Sequence, residues 1–232
     1  LVARRNEMIR DIAGRLLEAR KARELALVAA KTKLDEFMQQ VASALYKTDF
    51  AMVERLIARA RTDVSLRPVQ EEFNAFLSET EVICGMPEQL CMSFLENIGE
   101  VISVELTKGV VPIRVLDVQG TRVVAERVLY NAKKDEIGTT PYPFSFNDMT
   151  PKEQARRVGK IKSDVNLTMM SLLLIRARQQ GRAYQYLDQV PTVLAQLLKE
   201  QIEREQLERE ARRPVPFEPV FEPDANNKLI VL

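Results

Sequence analysis

Three groups of side chains in this sequence have types and spacings that could do chemistry. Glu71, Glu72 and Glu79 are close enough along a helix to gather oxygen ligands around a hard cation such as magnesium. Lys152, Arg156, Arg157 and Lys160, with Lys162 just beyond, are spaced so that several share one helical face, a candidate anion-binding set for phosphates. Cys84 and Cys91 are the only thiols. Each group also has a plainer reading. The carboxylates make a solvated helical face. The basic residues pair with the chain's own acidic block or with an acidic protein partner, and no interleaved aromatics are there to stack bases. The thiols behave as small buried apolar side chains. On these plainer readings no catalytic residue, metal or cofactor is expected.

What the sequence lacks narrows the chemistry further. There is no histidine, which removes Ser-His and Cys-His nucleophile pairs, His-ligated zinc and haem, and the usual near-neutral acid and base. No Walker loop or Gly-x-Gly-x-x-Gly cradle occurs, and the eight glycines are scattered. Two cysteines cannot fill a structural zinc site without carboxylates or another chain, and they are too few for a disulfide-stapled secreted scaffold. Seven residues apart on one continuous helix, they would be separated by about 10 Å of rise, beyond disulfide reach.

Charge is segregated although the net charge is only +1. Leu1 to Lys33 holds nine basic residues against four acids, and Pro151 to Arg182 holds eight against two. Val69 to Thr107 has eight glutamates and no Lys or Arg. Such blocks attract each other or partners, while the near-zero balance argues against a dedicated nucleic-acid coat. The longest apolar stretch, Met169 to Ile175, is far short of a membrane span. No signal-peptide layout is visible. The chain starts at Leu1 without Met, which reads as a fragment or processed product. A soluble, intracellular protein is expected.

The elements that must position these residues read as α+β and predominantly α-helical. At 232 residues with 46% apolar and 6% aromatic side chains, the chain has ample material for a core packed by aliphatic side chains. Residues 1–99 read as a helical region. A helix from Arg4 to Leu45, about 60 Å long, carries a stripe of Leu27, Leu34, Met38, Val41 and Leu45. Ile9, Ile12 and Leu16 extend the stripe, but Arg20, Lys21 and Arg23 interrupt it, and part of this helix should pack on another chain. Thr48 reads as the N-cap of a second helix that makes a hairpin with the first. Pro68 and Pro87 read as first-turn residues of helices running through Leu77 and Ile98.

Residues 100–148 read as a small antiparallel meander, with β-branched runs divided by Lys108-Gly109 and Gln119-Gly120. Pro112 should sit at an edge or irregularity, and Pro143 to Phe146 reads as a fourth strand. In residues 149–213, Thr150, Pro151 and Glu153 make a capping-box signature. One helix should run from there past Ile175 toward Gln180-Gly181, and another from near Pro191 through Leu207. Residues 214–232 form a Pro/Phe tail in which Phe-Glu-Pro recurs at 217 and 221, too proline-rich for a helix.

Val101 to Ile161, strands followed by Pro143-Phe-Ser-Phe and a capped helix, resembles the closing half of a PilZ-type β-barrel. The Arg-x-x-x-Arg and Asp-x-Ser-x-x-Gly pair with which such domains hold cyclic dinucleotides should closely precede those strands. Asp63-Val-Ser65-Leu-Arg-Pro68 ends in Pro and lies over thirty residues too early. The resemblance therefore implies a β-rich insert and no ligand. The functional expectation is a non-enzymatic structural or adaptor subunit of a multiprotein complex, with other subunits or itself as partner. It would dock through helix faces and a tail surface of Phe217, Pro219, Phe221, Pro223, Leu229 and Ile230, adding a strand to a sheet edge. The alternative is a nucleic-acid-associated accessory protein using the basic helix at 151–182.

Overall fold

A computed structural model of the chain describes residues 2–158, 163–212, 221–223 and 229–231, with backbone alone in 2–11 and in the two tail pieces. The first element is one unbroken helix, α1 (Val2–Tyr46). Among its described side chains, those from Ala30 onward enter the core. Ala30, Leu34, Phe37, Val41 and Leu45 recur at steps of three and four and are buried. Phe37 packs against Phe73 and Phe76, with ring centroids 5.5 and 6.0 Å apart.

The chain reverses at Thr48, whose φ of 56° is left-handed. That conformation cannot supply the extended backbone of an N-cap, so the cap falls one residue later than expected. Asp49 accepts the Met52 amide at 3.0 Å and starts α2 (Phe50–Arg61). Pro68 does not open the next helix; it lies in a 3-10 segment, Val64–Val69, capped by Asp63. α3 (Gln70–Cys84) follows, with Glu71 and Glu72 at its positive N-terminal end. α4 (Met86–Met92) carries Pro87 in its first turn and stops well short of Ile98, giving way to one 3-10 turn at Leu95–Asn97. The acidic block is helical in α3 and α4 as its pattern implies, while Glu105 at its end lies in the first strand.

The sheet is antiparallel in the order β1-β2-β3-β4: β1 (Val101–Leu106), β2 (Gly109–Gln119), β3 (Arg122–Tyr130) and β4 (Glu136–Pro141). β5 (Phe144–Ser145) pairs with the start of β3. Pro112 faces Ser103 of β1, and the β3 register stops at Ile113↔Arg127. One side of Pro112 thus has no strand neighbour, as a residue without an N–H requires. β4 departs from the sequence reading. Its Glu-Ile-Gly-Thr-Thr-Pro sequence has no apolar alternation, and its residues are largely exposed; pairing with β3 places it.

The inner sheet face, with Val104, Ile113, Val115 and Val123 buried, joins Phe144 and Phe146 in the same apolar cluster as the helices. Beyond the sheet, two helices stand where one was expected. α5 (Pro151–Arg157) and α6 (Asp164–Arg176) are separate, and Ser163 caps the second by accepting the Asn166 amide at 3.2 Å. Arg178, with φ 59°, then turns the chain into α7 (Gln180–Leu187), so Gly181 lies inside a helix rather than beyond the end of one. Thr192 caps α8 (Val193–Ala211), whose Leu194, Leu198 and Ile202 are buried. Tyr46 at the end of α1 donates its hydroxyl to Glu205 of α8. In the tail, β6 (Phe221–Pro223) pairs antiparallel with β7 (Leu229–Val231).

Candidate interaction surfaces

The basic candidates meet where α5 lies along β1. Thr150 caps α5 by accepting the Glu153 amide at 3.2 Å. The Thr150 amide donates to Glu105 O at 3.0 Å, and the Thr107 amide donates to Asp148 O at 2.8 Å. So fixed, Glu153 points inward and is only 2% exposed. Its carboxylate does not reach back to Thr150 as a full capping box would. Instead it accepts from Arg156 at 2.7 Å, from Arg157 at 2.9 Å and from the Glu105 amide at 3.4 Å. Arg157 lies 3.4 Å above the Phe94 ring centroid, and burial pulls its pKa below the usual guanidinium value.

Lys152 pairs with Glu105 at 3.1 Å, joining the basic block to the acidic one. The fold thus brings Lys152, Arg156 and Arg157 together and gives each a carboxylate. Lys160 and Lys162 lie outside the described residues. Beside this cluster opens a cleft of about 930 Å³ between β1, α5, α6 and α7, with Lys152, Arg156 and Arg182 among its lining and Leu173, Leu174 and Tyr186 on its apolar side. Sequence reasoning assigned Glu153 to the cap and missed its burial. It also missed Gln154, which is buried, donates to Phe146 O at 2.7 Å and accepts from Arg176 at 3.3 Å. No local signal distinguishes these inward polar residues from solvated ones.

A second surface is built on α1. Every residue from 12 to 29 is exposed, including Ile12, Leu16, Leu17, Leu25, Leu27 and Val28. Leu16, Leu27, Leu34 and Met38 are eleven, seven and four residues apart, each step close to a whole number of turns. They share one side of the helix. Among the described residues that side is covered at Leu34 and exposed along the preceding stalk, where Arg20 pairs with Glu24 at 3.2 Å.

Where α1 enters the body, a groove of about 850 Å³ runs between it, α3 and the residues leading into α8. Met38, Phe76, Val82, Val165 and Val193 contribute its apolar lining, and Val82 and Val193 are 43% and 55% exposed. Asp35, Glu72, Glu79 and Asp164 line it too, against one base, Lys31. A neighbouring depression of about 680 Å³ shares Asp35, Met38 and Val193 and continues toward Leu197 and Glu200 of α8. Glu79 accepts the Thr192 hydroxyl at 2.7 Å; burial, and then the nearby Asp164, raise its pKa. Of the three candidate cation ligands, Glu72 and Glu79 reach this groove and Glu71 does not. Among the described residues no three His, Cys, Asp or Glu side chains gather as a metal site would require.

Both cysteines are free. Cys84 ends α3 and Cys91 lies in α4, so they do not share the continuous helix considered above. Burial pushes both thiols up to about 11, which keeps them protonated and poorly nucleophilic. Of the tail residues, Phe217 and Pro219 lie outside the described residues. Phe221 and Pro223 form β6, and Leu229 and Ile230 belong to β7, so the terminal strand's partner here is the tail itself. No helix among the described residues is long and apolar enough to cross a membrane. No protein-family model, curated protein or solved structure matches the chain.

Proposed function

We propose that this chain is a non-enzymatic structural or adaptor subunit of a larger protein assembly, docking through helix faces and its Pro/Phe tail. The uncovered length of α1 carries this reading. A large aliphatic side chain left in water forgoes roughly 1.5–3 kcal/mol of burial, and the stalk repeats that loss along one side. A helix with an apolar side, interrupted only by a few bases, and no cover among the described residues is suited to cover by another protein. The acidic groove and the proline-rich tail supply further surfaces suited to a protein partner.

The second reading is a nucleic-acid-associated accessory protein, favoured by the 84% exposure of the Lys152 side chain and the 59% exposure of Arg156. It ranks lower because Glu105 and Glu153 already neutralise those cations, and a phosphate backbone would have to displace them. Deleting residues 214–232 tests the first reading: recovery of crosslinked native partners should fall about tenfold, with the helical circular dichroism unchanged. Undiminished recovery from both that deletion and deletion of the stalk would overturn it. A purified chain carrying salt-removable nucleic acid would move the assignment to the second reading.

A further inference from the structure

We propose that the occupant of the acidic groove is the α1 stalk of a second copy of this chain, two copies exchanging stalks about a two-fold axis. This rests on the assembly reading above and names one partner for it. Two α1 helices laid antiparallel put each stalk beside residues 30–46 of the other, and the groove lies along the first part of that stretch, from Lys31 to Met38. Both roles fall on the same side of α1: Leu16 and Leu27 on the stalk align with Leu34 and Met38 at the groove. A two-fold contact requires this, because one surface must act as donor and receiver at once.

The charges agree. Residues 12–29 carry four bases and two acids, whereas four acids and a single lysine line the groove. Side-by-side pairing of two stalks would set like charges together; exchange sets opposite ones together. Arg20 and Arg23, two of the three bases that interrupt the stalk's apolar stripe, lie against acids rather than water in this arrangement. Glu79 is held half-buried beside Asp164, a placement that a neighbouring guanidinium relieves. The groove continues past Met38 into the depression along α8.

The experiment uses two full-length variants altered only at exposed positions, Arg20→Glu with Arg23→Glu on the stalk and Asp35→Lys with Glu72→Lys at the groove. Light scattering should give a dimer for the unmodified chain. Each variant alone should dissociate about tenfold more readily, with unchanged circular dichroism. Mixed in equal amounts under different tags, the two should form a heterodimer within roughly threefold of the original affinity, because both exchanged contacts then join opposite charges. A monomeric unmodified chain, variants as dimeric as the original, or a mixture that fails to pair would each overturn the proposal. So would a monomer that binds anionic lipid vesicles and loses them on Leu16→Asp, which would give the stalk to a membrane surface. A monomer that still loses its partners on tail deletion would end the exchange and leave the assembly reading standing. A dimer that loses its second copy on stalk deletion, but no other partner on either deletion, would do the reverse.

Discussion

Glu153 keeps its charge away from water because two guanidiniums and a backbone amide meet its carboxylate. Removing one member of such a group strands the others, so Glu153→Ala should cost about 3 kcal/mol of unfolding free energy in a denaturant titration. Lys152→Ala breaks only a solvent-exposed pair and should cost less than about 0.5 kcal/mol. Equal losses would mean that Glu153 does not organise the cluster. Tyr46 makes a different kind of tie, between α1 and α8. Burial, and then Glu205, push its hydroxyl up to about 12 from an ordinary 10. The folded chain therefore holds this proton more tightly than the unfolded one. Its contribution is complete below pH 10 and is lost as pH rises through 12. Tyr46→Phe should cost about 1 kcal/mol near neutral pH, and the gap between the two melting curves should close toward pH 12. The raised thiols add an alkaline loss to both proteins alike. A gap independent of pH would refute the assignment to this hydroxyl.

Elements with their own start signal were legible, and those positioned by neighbours were not. Thr150-Pro151 marks α5 in the sequence because a hydroxyl cap and a first-turn proline act within one turn. The same chemistry at Ser163 divides α5 from α6, a signal outweighed by the apolar run behind it. α7 begins after a left-handed arginine and contains a glycine, so propensity argues against a helix that tertiary packing of Ala183 and Leu187 supplies. β4 exists by pairing alone. For α1, the pattern gave the length, and the structure shows which part is core. Deleting residues 1–26 should change the unfolding free energy, measured at protein concentrations that keep the chain monomeric, by less than about 0.5 kcal/mol. Leu34→Ala, seven residues after the last exposed leucine of the stalk, should cost about 2–4 kcal/mol. A stalk deletion as costly as the core substitution would mean that residues 12–29 support the body.

At the scale of the molecule, the segregated blocks are partly stitched together from within. Lys152 reaches Glu105 across the α5–β1 contact, Arg61 of α2 pairs with Glu81 of α3, and Lys33 meets Asp63 at 3.5 Å. These contacts use little of the basic charge on α1 and leave the acids of the groove without a basic block of their own. A chain near neutrality overall thus presents a basic arm and an acidic trough.

The sequence by itself determined the class, the long first helix, the helical acidic block, the meander and the absence of histidine chemistry, because period, caps, turn residues and composition act over a few residues. Only the tertiary structure decided that Glu153 is buried, that α5 and α6 are separate, that β4 joins the sheet and that an acidic groove flanks the emerging stalk. Those facts depend on which distant residues become neighbours: Glu105 beside Lys152, Thr192 beside Glu79, Glu205 beside Tyr46. No local spacing encodes such meetings; they follow from helices and sheet burying one shared core.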